Sequence, residues 1–133
     1  MNVSALNAIM SPSTAASRYR GVQVATASPA QIVAMLYGGI IRFTSEADDA
    51  MGKNARARAG ERIGKAMAIV DELASTLDGN QAPELANNLM SLYDFCKRRM
   101  LEANLNQDRK ALADVIAAVL PLKEAFSELA GTK

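Results

Sequence analysis

The stretch LYDFCKRRMLEANL at residues 92–105 separates its apolar and charged side chains onto different faces of a helix. One set steps by four, three and four residues, as one face of a helix does: Leu92, Cys96, Arg99 and Ala103. A second set lies one turn apart and predicts an i,i+4 ladder of ion pairs: Asp94, Arg98 and Glu102. No nucleophile here is paired with a base, so the pattern favours a packed helix over an active site.

The composition is typical of one all-helical domain. The chain has 133 residues, of which 50% are apolar and only 5% aromatic, and it is rich in strong helix formers. The single cysteine, Cys96, cannot form an internal disulfide, and its place in an apolar seam indicates a buried thiol in a reducing cytoplasm. No run approaches the roughly 20 apolar residues that span a bilayer, so we expect no membrane insertion.

Several classes of function are disfavoured. The formal net charge is +1 and the cations are interspersed with acids, which disfavours nucleic-acid binding. The chain has no histidine, which excludes catalytic triads and His-ligated metals. Residues 60–65, GERIGK, lack the spacing and the following Ser or Thr of a phosphate-binding loop. We therefore expect no enzyme activity, no cofactor and no metal.

Four amphipathic segments predict four helices. The first begins at Pro29, with Ser28 as N-cap and Gln31 completing a capping box, and it runs to Gly52. The second ends near Gly79, which can adopt a left-handed conformation without steric cost.

The third helix has Pro83 in its first turn and reaches Ala103, with a break at residues 104–107. Its seam is predicted at Leu85, Leu89, Leu92, Cys96 and Ala103. Asp108 can cap the fourth helix, which carries apolar residues to Leu129. Short connections between long amphipathic helices predict an all-α, antiparallel, up-down four-helix bundle.

Two segments depart from this pattern. Residues 1–18 are rich in Ser and Ala without a sustained period, so we expect a disordered N-terminal extension before a bundle domain at residues 19–133. Pro121 falls inside the fourth helix and should bend or interrupt it near residues 117–118, which we interpret as a tolerated kink.

The helices carry more apolar residues than a bundle seam needs. The surplus comprises Ile32, Met35, Tyr37, Ile41, Met67, Ile69, Met90, Tyr93, Phe95, Leu101, Ile116 and Leu120. Either the bundle packs a wide apolar face, or part of this surplus lines a groove for an apolar segment of a partner. The pattern leaves both explanations open.

Three ordered motifs carry a resemblance to a known family. They are Tyr19 with VATASP at residues 24–29, MLYGG at residues 35–39 with Arg42-Phe43, and YDF at residues 93–95 with Arg98-Arg99 and EAN at residues 102–104. Together they resemble the flagellar secretion chaperone FliS, from Tyr19 to about Leu129. The resemblance implies a cytoplasmic, non-enzymatic bundle that binds the C-terminal segment of flagellin, prevents premature polymerisation and helps deliver it to the export gate of the flagellar type III secretion apparatus.

The same resemblance implies that residues 19–28 form a lid that leaves when flagellin binds. With the surplus apolar residues, it gives a candidate partner-binding set: Tyr19, Val24, Ile32, Met35, Tyr37, Ile41, Met90, Tyr93, Ile116 and Leu120. The alternative is a helical adaptor that uses the same surface to form a homodimer.

Overall fold

A computed structural model describes residues 27–131, which form four α-helices. They are α1 Pro29–Gly52, α2 Arg56–Ser75, α3 Pro83–Asn106 and α4 Arg109–Gly131. The predicted disordered extension, and the predicted lid up to residue 26, lie outside this range. None of the helices in this range is long and apolar enough to cross a membrane.

The helices form a closed ring in chain order. α1 packs most extensively against α4 and α2, and α3 completes the ring through smaller contacts with α4 and α2. Contacts between α1 and α4 show that these two run antiparallel, because Gly38 lies against Lys123 and Asp48 pairs with Arg109. The predicted up-down four-helix bundle is therefore confirmed.

Both predicted helix starts with a capping side chain are confirmed. The Ser28 Oγ accepts from the Gln31 N–H at 3.1 Å, and Gln31 Oε1 accepts from the Ser28 N–H at 2.7 Å, which is the predicted capping box. At the start of α4, Asp108 Oδ1 accepts from the Lys110 N–H at 3.0 Å. These bonds satisfy N–H groups that have no partner within a helix.

The predicted left-handed turn at Gly79 is wrong. α2 ends at Ser75, and no glycine in the described range has a positive φ. Left-handed backbone occurs instead at Asn54, with φ 58°, and at Gln107, with φ 51°. Gln107 ends α3, which continues through the predicted break to Asn106.

Pro121 does not interrupt α4, which runs unbroken from Arg109 to Gly131. A proline at this position removes the hydrogen bond to the carbonyl of Ala117. Both residues are exposed, so water can hydrate that carbonyl. The predicted interruption is therefore wrong, whereas the interpretation that α4 tolerates this proline agrees with the unbroken helix.

The core runs along the bundle axis. In α3 the predicted seam residues Leu89, Cys96 and Ala103 are buried, whereas at two positions the core takes the residue that follows the predicted one. Leu85 and Leu92 are only half-buried, whereas Ala86 and Tyr93 are buried. The largest fully buried side chains are Tyr37, Tyr93, Phe126, Ile40, Leu73, Met100, Leu112, Leu122 and Val33. Cys96 is also fully buried, as predicted, and its burial raises the pKa of the thiol to about 11.

Candidate partner-binding surface

The structure divides the predicted partner-binding residues by exposure. Ile32, Tyr37 and Tyr93 are buried, and Ile41 and Ile116 are half-buried. Large exposed apolar residues are Met35 at 53%, Met90 at 38%, Leu101 at 50%, Leu105 at 75% and Leu120 at 41%. Tyr19 and Val24 lie outside the described residues.

The two buried tyrosines join α1 to α3 across the bundle. Their hydroxyl oxygens are 2.5 Å apart, and either can donate. The Tyr37 ring also packs against Phe126, with centroids 5.8 Å apart and planes tilted by 35°. These contacts place Tyr37 and Tyr93 in the core, where no partner can reach them without opening the bundle.

The tyrosine pair stays protonated at neutral pH. Burial is the main cause that raises the pKa of Tyr37 well above its usual value, and burial raises the pKa of Tyr93 to about 12. A neutral hydroxyl pair can form one mutual hydrogen bond without burying a charge. The pair therefore stabilises the bundle as a polar contact inside an apolar core.

Three of the predicted residues meet at the outer edge of the contact between α1 and α4. The register set by Gly38 against Lys123 places Ile41 opposite Leu120, and Ile116 lies one turn from Leu120. We call Ile41, Ile116 and Leu120 the α1–α4 seam.

Met35 and Met90 do not join this seam. Met35 lies on the outward side of α1, and Met90 lies on α3, two turns before Lys97 on the same face. Lys97 reaches α2, where its Nζ is 2.7 Å from Asp71 Oδ1. Met90 therefore borders α2, on the side of the ring opposite the seam.

Sequence reasoning missed Leu105, the most exposed large apolar side chain in the described range. The predicted break at residues 104–107 placed it in a loop, whereas α3 continues through it. Leu101 belongs to the predicted surplus, and Leu105 follows it by four residues on the same helical face. An i,i+4 pair of leucines outside the seam was the available signal.

A basic residue of the opening stretch ties α3 to α4. Arg99 donates from Nη2 to Asp114 Oδ2 at 2.8 Å and from Nη1 to Glu102 Oε1 at 2.8 Å. Hydrogen bonds from Lys110 and from Arg99 lower the pKa of Asp114. Glu102 thus pairs with Arg99 and not with Arg98, so the predicted ladder through Arg98 is wrong.

Arg99→Ala should lower the denaturant midpoint of unfolding more than Arg98→Ala does. Arg99 links two helices through Asp114, whereas Arg98 is exposed and has no carboxylate partner among residues 27–131. We expect Arg98→Ala to leave the midpoint unchanged within error, as is usual for an exposed side chain without partners. Equal losses in urea titrations of the two variants would contradict this assignment.

The aromatic ring of Phe43 lies between α1 and α2, and two arginine side chains approach it. The guanidinium carbon of Arg42 lies 4.6 Å from the Phe43 ring centroid, and that of Arg62 lies 5.4 Å from it. Arg62 also pairs with Glu46 at 3.0 Å across the two helices. We interpret this cluster as a structural contact that holds α1 against α2, because the Arg62 guanidinium already pairs with Glu46 and lies over the Phe43 ring.

Comparisons with known proteins match nearly the whole chain. The family model described as flagellar protein FliS matches residues 12–133. The flagellar secretion chaperone FliS of Bacillus subtilis is 34% identical over 121 residues, which cover 91% of this chain and 87% of that protein.

Two further relatives carry the same name. FliS of Vibrio cholerae is 36% identical over 107 residues, covering 80% of this chain and 79% of that protein. FliS of Campylobacter jejuni is 30% identical over 120 residues, covering 90% and 94%. With the four-helix bundle and the family model spanning most of its length, the chain belongs to the FliS family of flagellar secretion chaperones.

Proposed function

We propose that this protein is a cytoplasmic export chaperone that binds the C-terminal segment of flagellin. By holding that segment it prevents premature polymerisation, and it assists delivery to the export gate of the flagellar type III secretion apparatus. Family membership supports the chaperone role, and the surface of the bundle supports the binding of an apolar segment.

One observation carries the proposal. A bundle of this size exposes five large apolar side chains although its core is already filled by others. Flexible and branched side chains such as Met35, Met90 and Leu120 suit the binding of an apolar chain segment. Complete burial of an exposed leucine or methionine contributes about 1.5–3 kcal/mol, and covering side chains that are already partly buried contributes a corresponding fraction of this.

The segment before the bundle belongs to the same proposal. The family resemblance assigns Tyr19 and Val24 to a lid over the binding surface. Such a lid lowers the apparent affinity for the client, because only the molecules with an open lid can bind. Experiments on client binding therefore need the full chain.

Calorimetric titration tests the proposal. A synthetic peptide with the C-terminal sequence of a flagellin from the same genome should bind the full chain with one-to-one stoichiometry. A peptide of equal length and composition but scrambled order is the control and should show no heat of binding. If both peptides bind equally, or if neither binds, the proposed function is wrong.

The alternative is that the same surface makes a homodimer. Exposed apolar side chains also serve such interfaces. Sedimentation equilibrium on the chain alone separates the two, since an export chaperone with a free binding surface does not require a dimer.

A further inference from the structure

α3 is the helix that packs least closely in the bundle. Its contacts with α2 and with α4 are the two least extensive of the four contacts in the ring. α1, by comparison, lies so close to α2 that a Cβ placed on Gly39 would be 2.9 Å from Ile69 Cδ1. A segment with fewer packing contacts opens at a lower free energy than the rest of a domain. The helices α1, α2 and α4 therefore form the tightly packed part of the molecule.

The ion pairs that link α3 to its neighbours are open to water. Among residues 27–131, Lys97 pairs with Asp71 of α2 at 2.7 Å, and these side chains are 38% and 59% exposed. Arg99 pairs with Asp114 of α4 at 2.8 Å, and both side chains are partly exposed. Ion pairs in contact with water stabilise a fold only weakly. They therefore do not compensate for the small packing contacts of α3.

The ends of α3 are less firmly fixed than the starts of α1 and α4. Ser28 and Asp108 cap α1 and α4, whereas Ala82, which precedes α3, offers no side-chain acceptor. At its other end, Gln107 has a left-handed backbone, with φ 51°, which favours glycine. The longest connection between the helices, residues 76–82, leads into α3 and can span up to about 25 Å when extended. α3 can therefore swing outward about residues 107–108.

α3 also has less apolar surface to lose than α1 when it leaves the bundle. Both helices have 24 residues, but α1 buries eleven of them and α3 buries six. Three large apolar side chains of α3 are exposed already, and they lose no burial when the helix moves: Met90, Leu101 and Leu105. The loss of apolar burial opposes opening in proportion to the area that is exposed. Separation of α3 therefore costs less than separation of α1.

We propose that α3 opens from the bundle as a unit while α1, α2 and α4 stay packed together. Opening breaks the hydrogen bond between Tyr93 and Tyr37 and brings the buried face of α3, with Cys96 and Met100, into contact with water. The bundle thus has two states that differ in the position of one helix. This inference concerns the chain itself and holds whatever segment the protein binds.

The thiol of Cys96 reports this motion. Cys96 is the only cysteine in the chain, and it is fully buried on α3. Iodoacetamide therefore alkylates it only in molecules in which the site has opened, and mass spectrometry counts the modified chains. At low reagent concentration the rate follows the equilibrium population of the open form.

We expect Cys96 to react at least about tenfold faster than global unfolding allows. The limit set by global unfolding comes from the free energy of unfolding of the same chain, measured in urea. Low concentrations of urea should accelerate the reaction much less than they promote global unfolding, because opening one helix exposes only part of the surface.

A cysteine between α1 and α2 is the matched control. Ala50 is 3% exposed, and Glu46, one turn before it on α1, pairs with Arg62 of α2 at 3.0 Å. The variant Ala50→Cys with Cys96→Ala carries its thiol at a contact that stays packed when α3 opens. Its reaction should be limited by global unfolding of that variant and should show the full dependence on urea.

Hydrogen exchange on the parent chain tests the same inference without a substitution. A helix that has left its bundle is only marginally stable in water, so the amides of α3 exchange from the open state. Peptides from the middle of α3 should show protection at least about tenfold lower than peptides from the middle of α1.

Each measurement has an outcome that overturns the inference. Reaction of Cys96 at the rate set by global unfolding would show that α3 does not open separately, and so would equal protection of α3 and α1. If the Ala50→Cys thiol exceeds its own global limit as far as Cys96 does, the opening is not confined to α3. None of these experiments contains a flagellin peptide, so their failure leaves the proposed function untouched.

Discussion

Phe126→Ala is expected to cost about 3–5 kcal/mol of unfolding free energy, the range for truncating a large buried aromatic residue. Phe126 is fully buried on α4, and its ring packs against Tyr37 of α1. The contact between these two helices is the most extensive in the ring, so the cavity would open where the bundle has its main interface. The loss is large relative to the total stability of a domain of this size.

Urea unfolding followed by circular dichroism measures this loss, and Leu120→Ala on the same helix is the control. Leu120 is exposed, so its truncation should change the free energy of unfolding by less than about 0.5 kcal/mol. A Phe126→Ala loss as small as that of the control would show that the ring is not part of the core.

Removing either hydroxyl of the tyrosine pair should destabilise the protein more than removing both. Tyr37→Phe leaves the Tyr93 hydroxyl buried without its hydrogen-bond partner. Tyr93→Phe leaves the Tyr37 hydroxyl in the same state. A buried polar group without a partner costs about 1–3 kcal/mol, whereas replacing both partners by apolar groups is nearly neutral.

A double-mutant cycle checks this expectation. The double variant Tyr37→Phe with Tyr93→Phe should lose less unfolding free energy than either single variant, which corresponds to a coupling of at least about 1 kcal/mol. Additive losses would mean that each hydroxyl finds another partner when the first is removed.

The sequence predicts the four helices well where local chemistry decides the outcome. The Ser28–Gln31 capping box and the Asp108 cap involve residues two or three positions apart, so they form whatever the rest of the fold does. The left-handed residues were not predictable in this way. Gln107 adopts a positive φ because α4 must turn back onto α3, and this demand arises from tertiary packing.

The core was harder to assign than the helices. Leu92 and Tyr93 differ by about 100° around α3, and either fits a seam that steps by three and four. The structure places Tyr93 inside because its hydroxyl finds Tyr37 across the bundle. The sequence alone does not show that the Tyr93 hydroxyl has its partner at Tyr37, 56 positions away in the chain.

The binding surface was only partly predictable for a related reason. Surplus apolar residues indicate that some side chains face outward, yet the period alone does not say which ones. Met35, Met90 and Leu120 are exposed, whereas Tyr37 and Ile32 are buried.

Flagellin polymerisation tests the central claim most directly. Monomeric flagellin from the same genome, seeded with filament fragments, is followed by light scattering with and without an equimolar amount of this chain. We expect the chain to suppress filament growth, and an excess of free C-terminal flagellin peptide to restore it by competing for the binding surface. Growth at the same rate with and without the chain would contradict the proposal that this bundle holds the flagellin segment.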